Sequence, residues 1–315
     1  MAERLPAWLE TLASSPGRAA QARSLAGGRN NQGVVLHHLP EGGEGIPAQV
    51  IEKRSRHRGE ARLYRRLLRW QRRHPEPALL PRVYGVLGDR AGGWRLFQAY
   101  VPEATCPPGD PHRAGRLLAD LAFRFHRTMA AVHPGPPPQI APLLQRQRRH
   151  LDPAADVEGL DSAAVTALVE RLALRLADQL PVLAHNDLHW TNIRQPGGGS
   201  EGRHQLIDLG RVGWNLPGAE FHWALRQSLL GGGSGPPVWQ HAVDHYAALS
   251  GADPLALRLS CLWFALVHSA GLWRQVRHQD PSGLPWRREV RLLRRLRSRL
   301  SAALELAPLL PPPAA

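Results

Sequence analysis

His185-Asn186-Asp187-Leu188-His189-Trp190-Thr191-Asn192-Ile193 carries the strongest structural signal in the chain. An apolar run, Pro181 to Ala184, leads into it, and Leu206-Ile207-Asp208-Leu209-Gly210 follows. The first stretch fits His-x-Asp-x-x-x-x-Asn and the second fits apolar-Asp-x-Gly. Phosphoryl transfer explains these residue types. An attacking hydroxyl needs a carboxylate that orients it and takes its proton, and Asp187 fits; metal ions bridging phosphates need hard oxygen ligands, and Asn192 and Asp208 fit. Gly210 is expected to let the backbone turn sharply after the metal carboxylate. A lone loop aspartate is more often a turn or cap residue, so the reading rests on the whole set in this order.

Upstream stands Lys53, the one lysine in a chain whose lysines and arginines together number 40. Arginine is a planar, permanently charged fork, whereas lysine is a compact point charge on a flexible stem. Keeping a single ammonium amid so much arginine marks a place that needs one. Lys53 ends a strand-like apolar run, Val50-Ile51-Glu52-Lys53, and a glycine cluster, Gly27-Gly28-Arg29-Asn30-Asn31-Gln32-Gly33-Val34, precedes it.

A length of 315 suits one large or two modest domains, and an apolar content of 43% implies a globular chain rather than a disordered one. Two cysteines, Cys106 and Cys261, form no disulfide framework and point to a reducing compartment. Met1-Ala2-Glu3-Arg4-Leu5-Pro6 has no apolar signal core. The longest apolar stretch, Leu259 to Trp273, is broken by Ser260, His268 and Ser269 and is too short to span a bilayer. A soluble cytoplasmic protein without a transmembrane segment is therefore expected. The formal net charge of +14 favours anionic partners, nucleotides among them. The arginines are scattered through predicted helices rather than gathered in a tail, so most are read as solvated faces and nucleic acid is not an expected partner.

The pattern predicts a short helix over residues 5–15 and glycine-broken strands between Ser24 and Lys53. A helix follows from Glu60 to Trp70, with Leu63, Leu67 and Trp70 on one face, then strands over Val83–Val86 and Trp94–Val101. Pro102 and Cys106-Pro107-Pro108-Gly109 mark a boundary. Helices are predicted over Arg113–Val132 and Ser162–Leu180, short strands and loops over Leu183–Leu209, and helices from Glu220 onward. The expected architecture is α+β and two-lobed: a β-rich lobe over 1–101, a larger helical lobe over 102–307, and a disordered tail over 308–315.

On these residues the chain resembles the aminoglycoside/choline phosphotransferase family, which has the protein-kinase-like fold. The resemblance runs in order from about residue 20 to about residue 230. It implies that Gly27, Gly28, Asn30, Asn31 and Gly33 belong to the loop covering the phosphates. Lys53 would grip them, Glu60 would be its helix partner, and Gln98 to Val101, Tyr100 included, would be the hinge that meets the adenine. Asp187 would be catalytic, with Asn192 and Asp208 holding Mg2+. The implied activity is transfer of the γ-phosphate of ATP to a hydroxyl of a small molecule: a sugar, an amino-alcohol, or a glycan or lipid precursor. The alternative is a catalytically silent scaffold binding a nucleotide or another anion. The chain departs from the family in its glycine loop, which is not Gly-x-Gly-x-x-Gly. Trp190-Thr191 stands where Pro-Gly is common, and Glu220 where an aspartate usually braces the catalytic loop.

Trp286 to Leu306 reads as an arginine-rich amphipathic helix with Val290, Leu293, Leu296 or Arg297, Leu300 and Leu304 at helical spacing. Packing those leucines on the core is the expected role, and peripheral membrane contact through residues 286–306 is the second reading. His185 is expected to be structural. Trp214, Trp223, Trp239, Trp263 and Trp273 are expected to pack rather than to line a cation site. A polycationic acceptor would need carboxylates, and the helical lobe has few to spare beyond Asp187 and Asp208, with Glu158, Asp161, Asp244, Asp253 and Asp280 as candidates, so a neutral or anionic hydroxyl compound is expected.

Overall fold

The computed structural model describes residues 6–14, 21–25, 33–39, 47–75, 79–89, 92–105, 107–155, 157, 160–195, 204–231, 237–279 and 284–306. The chain divides into two compact units. The first holds residues 1–106, 131–133 and 190–212; the second holds 107–130, 134–189 and 213–315.

The first unit is built on a five-stranded antiparallel sheet of β1 (Gln21–Leu25), β2 (Gly33–His38), β3 (Gln49–Ser55), β4 (Val83–Asp89) and β5 (Gly93–Ala99), in the order β1-β2-β3-β5-β4. β3 is central and reads almost without interruption as buried from Val50 to Lys53, because both its faces are covered. Helix α1 (Ala7–Ser14) seats Leu9 and Leu12 against Val50 and Phe97 on one face. Helix α2 (Arg58–Arg73) runs between β3 and β4, with Arg72 and Arg73 in its last turn, where cations suit the negative end of the helix. Its buried face is Glu60, Ala61, Tyr64, Leu67 and Leu68; of the expected stripe only Leu67 lies on it, while Leu63 and Trp70 are half-buried. Trp70 instead stacks on His74 beyond the helix end, at 4.7 Å between ring centres. Three short strands, β6 (Glu103–Ala104), β8 (Ile193–Gln195) and β9 (Gln205–Leu206), form a second antiparallel ladder in this unit.

The second unit is mainly helical. α3 (Pro111–Val132) is followed by α4 (Ile140–Arg148), α5 (Ser162–Arg175), α6 (His222–Gly231), α7 (Val238–Ser250), α8 (Pro254–Gln279) and α9 (Leu284–Leu306). A two-stranded ladder of β7 (Val182–Ala184) and β10 (Gly213–Asn215) frames residues 185–189. Asp161 caps α5 by accepting from the amides of Ala163 and Ala164, and Asp253 caps α8 through Leu255 and Ala256. Gly218 packs directly on α8, where a Cβ would meet the Leu257 carbonyl and the Ser260 hydroxyl.

α8 is longer than the apolar stretch within it. It is long and apolar enough to cross a membrane by length and composition, but 67% of its most apolar window is buried inside the protein. α9 buries Leu292, Leu293, Leu296, Leu300 and Leu304 and leaves Arg287, Arg288, Arg291, Arg294, Arg295 and Arg299 exposed. Its apolar stripe is thus occupied by packing. Trp239, Trp263 and Trp273 are buried packing residues.

Candidate active site

The first unit gathers three of the singled-out residues into one cluster. Lys53 points from β3 toward α2, and its Nζ lies 2.7 Å from Glu60 Oε1 and 2.6 Å from Asp208 Oδ1. Strand alternation produces this: Lys53 and Ser55 share the face under α2, while Glu52 points the other way. The Ser55 hydroxyl donates to the second Glu60 oxygen at 2.7 Å, so both carboxylate oxygens are engaged. Lys53 and Glu60 are almost completely buried, whereas the Asp208 side chain keeps 37% of its surface open. Burial by itself would lower the pKa of the ammonium, but Asp208 and Glu60 outweigh it and hold the value above the ordinary one.

Asp208 adopts the left-handed conformation, with φ 58° and ψ 66°. The sharp turn is therefore made at the aspartate itself, which tolerates this region better than most residues. Gly210 serves another purpose. A Cβ there would come within 3.2 Å of Lys53 Nζ and 3.3 Å of Glu60 Oε1, so the glycine makes room for the ion cluster. Asn192 is buried, and its carbonyl accepts the Ile207 amide at 3.0 Å, tying its loop to the residue before Asp208. Gln98 on β5 accepts the Tyr64 hydroxyl at 2.7 Å. Burial, with Glu60 and Asp208 nearby, raises the phenol's pKa well above its usual value. Tyr100, just past β5, is half-buried. Gly33 opens β2 opposite Arg54, while Gly27, Gly28, Asn30 and Asn31 lie outside the described residues.

The second unit carries Asp187 on a loop held from several sides. Glu220, 1% exposed, accepts the backbone amides of His185 and Asn186 and bonds His126 Nε2 at 3.1 Å. The longer glutamate arm is thus accommodated and braces the loop. On the far side of the His126 ring, Nδ1 meets the Tyr246 hydroxyl at 2.7 Å. Asn186 is left-handed, with φ 61°; its amide donates to the carbonyls of Ala184 and Gly213 and its oxygen accepts from Asn215 at 2.6 Å. Asn215 in turn accepts from Gln147, which accepts from the Trp263 indole. A buried polar relay therefore fixes the loop to α4 and α8. His185 is fully buried, with its ring 5.4 Å from that of Phe125.

The Asp187 carboxylate receives a hydrogen bond from the Trp223 indole, Nε1 to Oδ1 at 2.8 Å. His189 Nε2 lies 3.7 Å from the same oxygen. Ser55, Tyr64, Trp223 and the Asn215 relay escaped the sequence reading. Ser55 and Tyr64 were findable, since each lies on the same face as a residue singled out, two along a strand and four along a helix.

A model described as the phosphotransferase enzyme family (APH) matches residues 21–259, and the chain belongs to that family. Among solved structures it is similar to an aminoglycoside phosphotransferase from Alicyclobacillus acidocaldarius, at 15% identity over 97% of this chain and 96% of that one, with a TM-score of 0.60. It is also similar to an aminoglycoside 2′-phosphotransferase of type IIIa in its GDP complex, at 12% identity, 93% and 97% coverage and a TM-score of 0.60. A third is a macrolide 2′-phosphotransferase from Brachybacterium faecium, at 16% identity, 95% and 98% coverage and a TM-score of 0.54. At these identities the likeness establishes the α+β, kinase-like fold. No curated protein matches the chain.

Proposed function

We propose that the protein is an ATP- and Mg2+-dependent phosphotransferase acting on a hydroxyl of a small molecule. The observation that carries this reading is the buried Lys53 ammonium held between Glu60 and Asp208. Lys53 would meet the α- and β-phosphates as a point charge already aimed by Glu60. Asp187 would orient the acceptor hydroxyl and take its proton as the acceptor oxygen bonds to the γ-phosphorus. The bond between that phosphorus and the β–γ bridging oxygen then breaks, and ADP leaves. Asn192 and the half-open Asp208 carboxylate offer the hard oxygens that suit magnesium, which when bound supplies neutralisation of phosphate charge. Gln98 and Tyr100 would border the adenine. Gly27, Gly28, Asn30, Asn31 and Gly33 would cover the phosphates.

The acceptor we favour is neutral or anionic, as in a sugar or a glycan or lipid precursor. Three of the five candidate carboxylates are engaged elsewhere: Asp161 and Asp253 cap helices, and Asp244 pairs with Arg258 at 2.8 Å. Glu158 and Asp280 lie outside the described residues. A cytoplasmic location agrees with Cys261, a thiol buried within α8 whose pKa burial pushes up, leaving it unreactive. All of the expected polar positions are filled, which counts against a silent scaffold.

The test is an ATP-consumption screen across aminoglycosides, choline-like amines, sugars and glycan precursors. Asp187→Asn should lower kcat by about a hundredfold or more, the usual size of a general-base contribution. Asp208→Ala should abolish turnover, and normal transfer by that variant would sink the assignment.

A further inference from the structure

Asp187 is held by a residue that the expected kinase pattern does not include. We propose that Trp223 is the positioning residue of the Asp187 carboxylate, its indole N–H fixing the direction in which that group meets the acceptor hydroxyl. The inference rests on the reading of Asp187 as catalytic.

Three observations within the second unit support it. The indole donates to Oδ1 at 2.8 Å, a good length for a bond to a carboxylate. The indole is itself clamped. The guanidinium of Arg226, one helical turn along α6, lies 5.5 Å from its ring centre. Arg226 is 3% exposed and is anchored by Glu289 on α9, with N–O distances of 2.9 and 3.1 Å, and by the Ser269 hydroxyl on α8. The rings of His189 and His268 stand edge-on to the indole, at 5.4 and 5.0 Å.

A side chain held this way cannot swing, so the carboxylate it holds is orientated before any substrate arrives. Such preorganisation favours the transition state, because the reacting groups need not be ordered at the moment of reaction. Packing alone would not require the nitrogen: a purely apolar ring would fill the same space. The line Glu289–Arg226–Trp223–Asp187 thus connects α9 to the catalytic loop through side chains in contact. It also gives the buried Arg226–Glu289 pair a role beyond stability.

The decisive variant replaces Trp223 by 3-benzothienylalanine, which keeps the bicyclic shape and puts sulfur where the N–H was. The assay uses whichever acceptor is turned over fastest in the screen above. The expected result is a kcat lowered by about tenfold, the kinetic equivalent of one charge-assisted hydrogen bond, with the KM for ATP and the unfolding temperature unchanged. Trp223→Phe should match the isostere in kcat. A second readout needs no acceptor: the indole N–H resonance of Trp223, assigned by its loss in Trp223→Phe, should move in Asp187→Asn. Full kcat in the isostere, or an unmoved resonance, would overturn the proposal while leaving the phosphotransferase reading intact. Full kcat in Asp187→Asn, or no turnover of any acceptor by the unaltered protein, would overturn both.

Discussion

Lys53 satisfies two carboxylates with one small head group, and the surroundings are shaped to that size. Glu60 Oε1 and Asp208 Oδ1 both lie within 2.7 Å of the ammonium, and Gly210 stands so near that a Cβ there would be a tight 3.2 Å from it. In a chain otherwise written in arginine, Lys53→Arg is the informative substitution. The planar fork is bulkier and spreads its charge, so it cannot place one point charge between both oxygens. It should lose nearly all transferase activity and destabilise the fold by about 1–3 kcal/mol, the usual cost of overpacking. Turnover assays and urea unfolding of the two proteins check this; an active, equally stable arginine variant would refute the size argument. The gathering of Lys53, Glu60 and Asp208 was legible in the sequence because composition singled out the lysine, a motif singled out Asp208, and the family resemblance placed Glu60 beside them. Trp223 was not, since a tryptophan on an amphipathic helix reads as packing until its nitrogen is seen facing a carboxylate.

The loop that carries Asp187 is positioned by elements far from it in sequence. Glu220 reaches two of its amides, and the chain from Trp263 through Gln147 and Asn215 reaches Asn186. Shortening that reach tests whether the surrounding helices have adapted to glutamate. Glu220→Asp should leave at least one buried amide poorly bonded and cost about 1–2 kcal/mol, even though aspartate is the residue common in the family. A thermal midpoint equal to that of the unaltered protein would show that the short helical turn simply shifts. Sequence periodicity located α2 and α9 well but misjudged the inward stripe of α2. There the polar Glu60 faces inward to meet Lys53, and Tyr64 faces inward to bond Gln98. Hydrophobic spacing cannot reveal a buried face that is partly charged. On α9 the stripe was close to that expected, with Leu292 added, and the leucines that a membrane would need are committed to packing.

On the scale of the whole molecule, most arginines among the described residues are exposed or half-buried, yet one buried acid turns some of them to structural use. Glu52, 1% exposed on the face of β3 opposite Lys53, is bonded by His37 at 3.0 Å and by Arg95 at 2.8 and 3.0 Å, with Arg54 at 3.1 Å. Burial by itself would raise its pKa. The bonds from His37 and Arg95, with Arg54, reverse this and hold the carboxyl well below the usual range. A depressed folded pKa contributes stability that is present above the unfolded value of about 4.3 and is lost as pH falls below it. Glu52→Gln should therefore be less stable at neutral pH and lose less on acidification. Urea midpoints of both proteins from about pH 6 to about pH 3 should converge, and parallel curves would contradict the linkage. The two-unit organisation was less legible than the elements. β8 and β9, which join the first unit, are three and two residues long, too short to announce themselves by alternation.

The solitary lysine has one more consequence. A protease that cuts only after lysine has a single target in this chain, the peptide bond from Lys53 to Arg54, and it lies inside the central strand of a five-stranded sheet. Cleavage into two fragments would therefore report the opening of that strand and nothing else. Any anion that settles onto the ammonium would be seen as protection of one bond on a gel.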